Sequence, residues 1–191
     1  MTAMDKPAWR ARLLAGRAAV PQSVRAAEAA ALASWVRRLS GTVCCYYPIG
    51  TEPGSVSMLD ALLAAGCRVL LPIVVVGSGP LDWADYDGCG AGGGLGRGRY
   101  GLVEPAGSRL GPAAVGSADT ILVPALAVDR HGVRLGRGGG YYDRSLVLAS
   151  PGAALVAVVR DPELVPRLPA EPHDVLMTAA LTPSTGFTPL P

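Results

Sequence analysis

The sequence predicts an α/β domain of three layers, α/β/α, built on a mostly parallel central sheet. Three observations carry that expectation. Apolar runs of strand length alternate with segments whose apolar residues recur at helical spacing. Half of the 191 residues are hydrophobic and 17% are charged, a balance that excludes a disordered chain. Gly (25) and Pro (17) are frequent but follow no Gly-X-Y period, so they mark turns between layers.

The elements follow in order. Pro7 suits a first helical turn, with Trp9, Leu13 and Leu14 at helical spacing behind it. Pro21 restarts the chain, and Val24, Ala27, Ala31, Leu32, Trp35, Val36 and Leu39 mark one face of a second helix. Gly41, after Arg37 and Arg38, is its expected stop. Residues 42–47 read as a buried strand and 48–54 as a loop holding Glu52. Val56, Leu59, Leu62 and Leu63 mark a third helix closed by Gly66, and residues 68–76 a second strand. Residues 81–86 alternate loosely, as in a short strand. Residues 88–101 carry eight glycines and read as a mobile surface loop, not a linker, because strand–helix alternation resumes after them. Residues 120–126 form a third clear strand, 129–132 a turn, and 136–140 a glycine-rich loop leading into a helix near Tyr141. Residues 154–160 form another buried strand, and an edge strand is expected near 175–177. There is no internal repeat, and the length predicts one domain over residues 1–191.

Composition narrows the function classes. Seventeen Lys+Arg against fifteen Asp+Glu give a net charge of +2, which makes no electrostatic case for a nucleic-acid coat. The four cysteines form no C-x-x-C pair and only two histidines exist, so a zinc site is not expected. Cys44 and Cys45 lie in an apolar run, as small hydrophobes do. Free cysteines, no signal-peptide pattern and no apolar run of ~18 residues predict a cytoplasmic protein away from membranes. No heptad or broad apolar stripe argues for a dimer, so a monomer is expected.

The densest chemical signal is Arg134, Leu135, Gly136, Arg137, Gly138, Gly139, Gly140, Tyr141, Tyr142, Asp143 and Arg144. Glycines at alternate positions let backbone amides point at one centre, and a following helix N-terminus adds positive potential. Arg134 and Arg137 can clamp phosphate oxygens in bidentate fashion. Asp143, in the first helical turn, is placed to hold Mg2+ against the same phosphates. The alternative is a plain turn. The segment is not a Walker loop, since no Gly-Lys-Ser/Thr ends it, and it is a poor dinucleotide fingerprint. A parallel sheet binds ligands beyond the carboxyl ends of its strands, which puts this loop and the Glu52 loop on one edge.

Residues 122–129 (Leu-Val-Pro-Ala-Leu-Ala-Val-Asp), followed by Gly132-Val-Arg-Leu-Gly-Arg-Gly-Gly-Gly-Tyr-Tyr-Asp-Arg144, resemble the signature of the 5-formyltetrahydrofolate cyclo-ligase family, also called 5,10-methenyltetrahydrofolate synthetases. Weaker pieces agree in order: Lys6, Arg10 and Arg17; Tyr47 through Glu52; Gly66 to Pro72; Tyr100-Gly-Leu-Val-Glu-Pro105; and Leu168-Pro169 with His173-Asp174. The resemblance implies an enzyme that uses ATP and Mg2+. The formyl oxygen of 5-formyltetrahydrofolate takes the γ-phosphoryl group, giving an imidate-like phosphate. N-10 then closes the ring and phosphate leaves. Positioning and charge neutralisation suffice for such chemistry, with no protein nucleophile.

The same resemblance assigns roles. Lys6, Arg10 and residues Arg134 through Tyr142 match the ATP site, Lys6 being the chain's one lysine. Arg137, Gly138, Gly139, Gly140 and Tyr141 also approach the formyl end, with Arg137 and Tyr141 as the catalytic pair. Glu52 matches the folate-contacting Glu, Tyr47 lines the same pocket, and Asp143 and Asp174 match metal ligands. Trp83 suits either folate stacking or the core, His131 gains no role, and His173 reads as a surface histidine. The chain departs from the family where Gly-Lys-Gly is common and Gly139 stands instead; Arg137, or Arg97 and Arg99, are the candidate substitutes. A family glutamine before the C-terminal Leu-Pro is replaced near Glu163. Two other readings remain at this point: a non-catalytic folate- or nucleotide-binding relative, and an unrelated sugar-phosphate or coenzyme A-binding domain.

Overall fold

A computed structural model of the chain describes residues 4–77, 79–88, 95–97 and 103–191. Helix α1 (Lys6–Ala18) opens on Asp5, whose carboxylate accepts the Ala8 N–H at 2.9 Å, with Pro7 in the first turn. Helix α2 (Gln22–Val36) buries Ala29, Leu32, Ala33 and Val36, but Val24 and Ala27 are exposed. Only its C-terminal half meets the sheet, so the expected apolar face is too long by about two turns. Gly41 does not cap this helix; it precedes strand β1 (Thr42–Cys44), where Asp119 takes the Thr42 N–H at 2.8 Å. After Cys45 the chain leaves the ladder, so β1 is shorter than 42–47.

Helix α3 (Val56–Ala64) and strands β2 (Arg68–Ile73) and β3 (Asp82–Tyr86) follow. Strands β4 (Leu95–Arg97) and β5 (Val103–Pro105) then pair antiparallel, Leu95 opposite Pro105. The surface loop expected over 88–101 therefore contains a short strand, whose Leu95 packs against the core. Residues 89–94 and 98–101 lie outside the described residues. Strands β6 (Thr120–Pro124), β7 (Ala127–Asp129) and β8 (Arg134–Leu135) lead to helix α4 (Tyr141–Leu146). Strands β9 (Ala154–Val158), β10 (Leu164–Val165), β11 (Ala179–Thr182) and β12 (Gly186–Pro189) complete the chain.

The main sheet runs β12-β11-β9-β6-β1-β2-β3. The five inner strands are parallel, and β3 and β12 pair antiparallel at the edges. One face packs Val43, Val69, Leu122 and Val156 against Leu32, Leu59 and Leu62 of α2 and α3. The other packs Cys44, Leu70, Ile121 and Ala157 against Val115 and Leu146, from the 3-10 turn Pro112–Ser117 and α4. Neighbouring residues of one strand thus serve opposite layers, which is why these strands are apolar throughout. The expected three layers are present, the second helical layer being thin. Trp83 is fully buried in that second core and does not line the cleft described below.

Two features escaped the sequence pattern. The run 120–126 divides: β6 ends at Pro124, and β7 belongs to a separate sheet of order β10-β7-β8, packed under Trp9 and Leu13 of α1. The edge is formed by the β11–β12 hairpin, not by 175–177. Those residues instead run past the β7–β8 turn, where the Met177 N–H donates to Gly132 O at 2.8 Å. Gly132 has φ +86°, and a Cβ there would lie 2.6 Å from Met177 O. Gly132→Ala is therefore expected to destabilise the fold by about 2–3 kcal/mol, from left-handed strain plus a backbone clash. Urea unfolding checks this, and an unchanged midpoint would show that the turn relaxes freely.

Candidate active site

The order of the main sheet reverses beside β1. From there the chain moves outward to β2 on one side, and through β6, β9 and β11 on the other. The loops leaving β1 and β6 therefore part at their carboxyl ends and open a crevice, as in other parallel α/β sheets. A cleft of about 410 Å³ lies there. That is an ordinary size for a small-molecule site. Its walls are Tyr46, Tyr47 and Glu52 after β1, residues 124–126 after β6, the glycine-rich loop after β8, and Lys6 and Arg10 from α1. The residues to which the resemblance assigned ATP, folate and metal roles line this one cleft: Lys6, Arg10, Tyr47, Glu52, Arg134 through Asp143, and Asp174.

The glycine-rich loop reaches the cleft from the small sheet, and α1 braces it. Arg10 Nε donates to Gly136 O at 3.0 Å. Gly138 has φ +104°, and a Cβ there would sit 3.5 Å from the Arg10 guanidinium carbon. Helix α4 has only six residues, so its dipole adds less positive potential than the sequence led one to expect. Side-chain cations supply the charge instead. Arg137 is half-exposed and reaches across the cleft, its Nε 3.2 Å from Glu52 Oε1. Glu52 Oε2 accepts the Ile49 N–H at 3.0 Å, which fixes the carboxylate in its loop.

Arg134 is buried and pairs with Asp143, Nη2 to Oδ1 at 2.6 Å, while its Nε has no partner among the described residues. Asp143 keeps Oδ2 free of any described residue. Tyr142 places its hydroxyl in a buried position without a partner among the described residues; burial, then the nearby Glu52 carboxylate, push its pKa well up. It is a neutral donor at every physiological pH. Lys6 Nζ lies 3.0 Å from Glu171 Oε2 and from each Asp174 oxygen. Partial burial disfavours the ammonium, but these hydrogen bonds outweigh it and raise the Lys6 pKa.

The sequence reading missed several wall residues. Tyr46 donates to Pro53 O at 2.7 Å and shapes the turn into the Glu52 loop. Glu104 of β5 accepts the Val74 N–H at 2.9 Å. Glu171 and His173 join Asp174, each offering a ligand atom within 4.8 Å of the others. The signal was local: Glu171 N–H donates to Asp174 Oδ2 at 2.7 Å, a turn legible in Glu-Pro-His-Asp. His173 is exposed, as a surface histidine would be, yet stands on the cleft rim. Asp143 is not part of that cluster. The carboxylates are hard oxygen donors, and one or two of them with substrate phosphates make a usual Mg2+ set, so the donors fit that ion. Cys44, Cys45 and Cys67 are buried thiols, and burial raises the Cys45 pKa to about 12, so none is a ready nucleophile. Of the suggested substitutes for a lysine at Gly139, the Arg97 side chain and Arg99 lie outside the described residues.

The family model for 5-formyltetrahydrofolate cyclo-ligases matches residues 2–183. The chain belongs to that family. It is 48% identical over 197 residues to the 5-formyltetrahydrofolate cyclo-ligase of Mycolicibacterium smegmatis, covering all of both chains. To the Escherichia coli cyclo-ligase it is 30% identical over 152 residues, 76% of this chain and 80% of the other. Among solved structures, the 5,10-methenyltetrahydrofolate synthetase of Aquifex aeolicus superposes with a TM-score of 0.80 at 27% identity, over 98% of this chain and 93% of that one. The synthetase of Mycoplasma pneumoniae shares the fold, with a TM-score of 0.72 at 20% identity over 93% and 98%. The family is one of ligases, and the chain is an enzyme of that class. No helix among the described residues is long and apolar enough to cross a membrane.

Proposed function

We propose that the cleft converts 5-formyltetrahydrofolate to 5,10-methenyltetrahydrofolate, with Mg2+ and ATP consumed to ADP and phosphate. Family membership supports the cyclisation. The observation that carries the rest is the meeting, at one sheet switch point, of a cation-rich glycine loop and a wall of Tyr46, Tyr47 and Glu52.

The amide-like formyl oxygen attacks the γ-phosphorus, and the bond to the ADP oxygen breaks. The resulting imidate phosphate is electrophilic at carbon. N-10 adds there and loses its proton, and the C–O bond breaks to release phosphate. Glu52 accepts from the pterin donors, and Tyr47 packs beside them. The Glu52 bond to Arg137 opens as the folate enters, which frees Arg137 for the transferring phosphoryl group. Arg137 and Tyr141 stand between the two substrates, where charge develops. Lys6, Arg10 and Arg134 neutralise the phosphate chain, with amides of residues 136–140 cradling it. Asp143 and Asp174 are the residues that would hold Mg2+, which when bound spreads charge over the phosphates and keeps the transfer in line. The same reading makes the chain one domain, a monomer and cytoplasmic.

The test is direct. Purified protein mixed with 5-formyltetrahydrofolate and Mg-ATP is followed by near-ultraviolet absorbance of the methenyl product. The expected rise requires both ATP and Mg2+. No rise, with both substrates bound by calorimetry, would make the protein a non-catalytic binder.

A further inference from the structure

Arg144 closes the glycine-rich segment in sequence, and its side chain turns back over it. Nη2 donates to Gly139 O at 2.9 Å, and Nε donates to Gly79 O at 3.2 Å, in the loop between β2 and β3. The guanidinium lies 5.1 Å from the Tyr141 ring centroid. That ring covers Gly139, where a Cβ would lie only 3.0 Å from Tyr141 Cδ2. The result is a stack of loop backbone, Tyr141 ring and guanidinium, tied at its outer end to a second loop. Gly139 and Tyr141 line the cleft, and Arg144 does not.

We propose that Arg144 is a positioning residue, which sets the glycine-rich loop and Tyr141 in the shape that receives nucleotide phosphates. A trans peptide is planar, so pinning the Gly139 carbonyl on one side sends the Gly140 N–H to the other. Arg144 stands outside the cleft, so that N–H faces in. Gly140, the N-cap of α4, has no side chain to take up the first N–H groups of the helix. Only a planar fork can bond two carbonyls and stack on a ring at once; a lysine ammonium can keep one bond and loses the rest. The stack also fills the space above Gly139, so any side chain there would displace Tyr141.

This inference rests on the nucleotide reading of the cleft. Calorimetry with Mg2+ and a non-hydrolysable ATP analogue is run on wild type, Arg144→Ala and Arg144→Lys, with a melting curve for each. Both variants are expected to bind on the order of tenfold more weakly, in line with losing hydrogen bonds from a charged donor. Arg144→Lys should keep the wild-type melting temperature, and Tyr141→Leu should shrink the effect of Arg144→Ala, because the ring is what the guanidinium holds. Unchanged dissociation constants overturn the proposal. So does weaker binding that follows a matching fall in melting temperature in both variants, which would mark Arg144 as structural only. A wild type that binds the analogue but makes no methenyl product sinks the catalytic reading alone, and the comparison of dissociation constants still decides the role of Arg144. A wild type that binds no nucleotide overturns both.

Discussion

Asp143→Ala is expected to lower kcat/KM for the methenyl-forming reaction by about three orders of magnitude, with the fold retained. Two losses coincide in that substitution. The carboxylate with a free oxygen beside the phosphate loop disappears, and Arg134 loses its 2.6 Å partner while remaining buried. An unpaired guanidinium there would swing towards the phosphates and hold them in the wrong register. Asp143→Asn separates the two effects: it keeps the shape and one hydrogen bond to Arg134 but removes the charge. If Mg2+ binding is the role, Asn is nearly as damaging as Ala, and raised Mg2+ recovers part of the rate. If holding Arg134 is the role, Asn is far milder and Mg2+ has no effect. Steady-state rates across a Mg2+ series decide between them. Asp143→Ala also strands the buried Arg134 guanidinium and should lower the melting temperature by several degrees, whereas Asp143→Asn, which keeps a hydrogen bond to it, should shift it by no more than a few. An Asp143→Ala enzyme within tenfold of wild type would remove the residue from the chemistry.

What the sequence made legible here was local. The glycine loop, its arginines and α4 are one continuous stretch, and turn and helix signals sit in the residues themselves. The parallel strands were legible because both faces are buried and their apolar runs are unbroken. The partners were not legible. Lys6 meets Glu171 and Asp174 more than 160 positions away, and Arg137 meets Glu52 across 85. No periodicity encodes such pairs. The same limit hid the small sheet: β7, β8 and β10 have three, two and two residues, too short for an alternation to show. Val24 and Ala27 failed for a different reason. They have the right spacing for a buried face, but burial needs a neighbour, and the sheet ends before it reaches them. The β4 strand was lost under its glycines because one leucine, Leu95, supplies the contact that orders it.

The pair Arg17–Glu163 shows how far such long-range partners can govern stability. Both side chains are almost fully buried, and Nη2 lies 2.7 Å from Glu163 Oε2. Nε donates to Glu163 Oε1 at 2.7 Å, and Nη2 also donates to Ala125 O at 2.5 Å. Ala125 is the residue after β6, at the floor of the cleft, so this bidentate pair clamps α1 onto the switch point. Arg17→Ala strands a carboxylate whose one other hydrogen bond among the described residues is from the Arg160 N–H at 2.9 Å. Removing one partner of a buried pair costs about 3–5 kcal/mol, because the remaining charge stays out of water. In a chain of this size that lowers the melting temperature on the order of 10 °C. Glu163→Ala should be as severe, since it strands the guanidinium. The double variant Arg17→Met with Glu163→Leu should recover much of the loss, because apolar groups of similar volume bring no charge into the interior. Its residual deficit measures the Ala125 carbonyl and Arg160 N–H left without partners. Thermal unfolding of the three variants tests the scheme. A single-variant shift below a few degrees would mean that water reaches the pair. A double variant no better than the singles would mean that the clamp on Ala125, rather than charge burial, carries the stability.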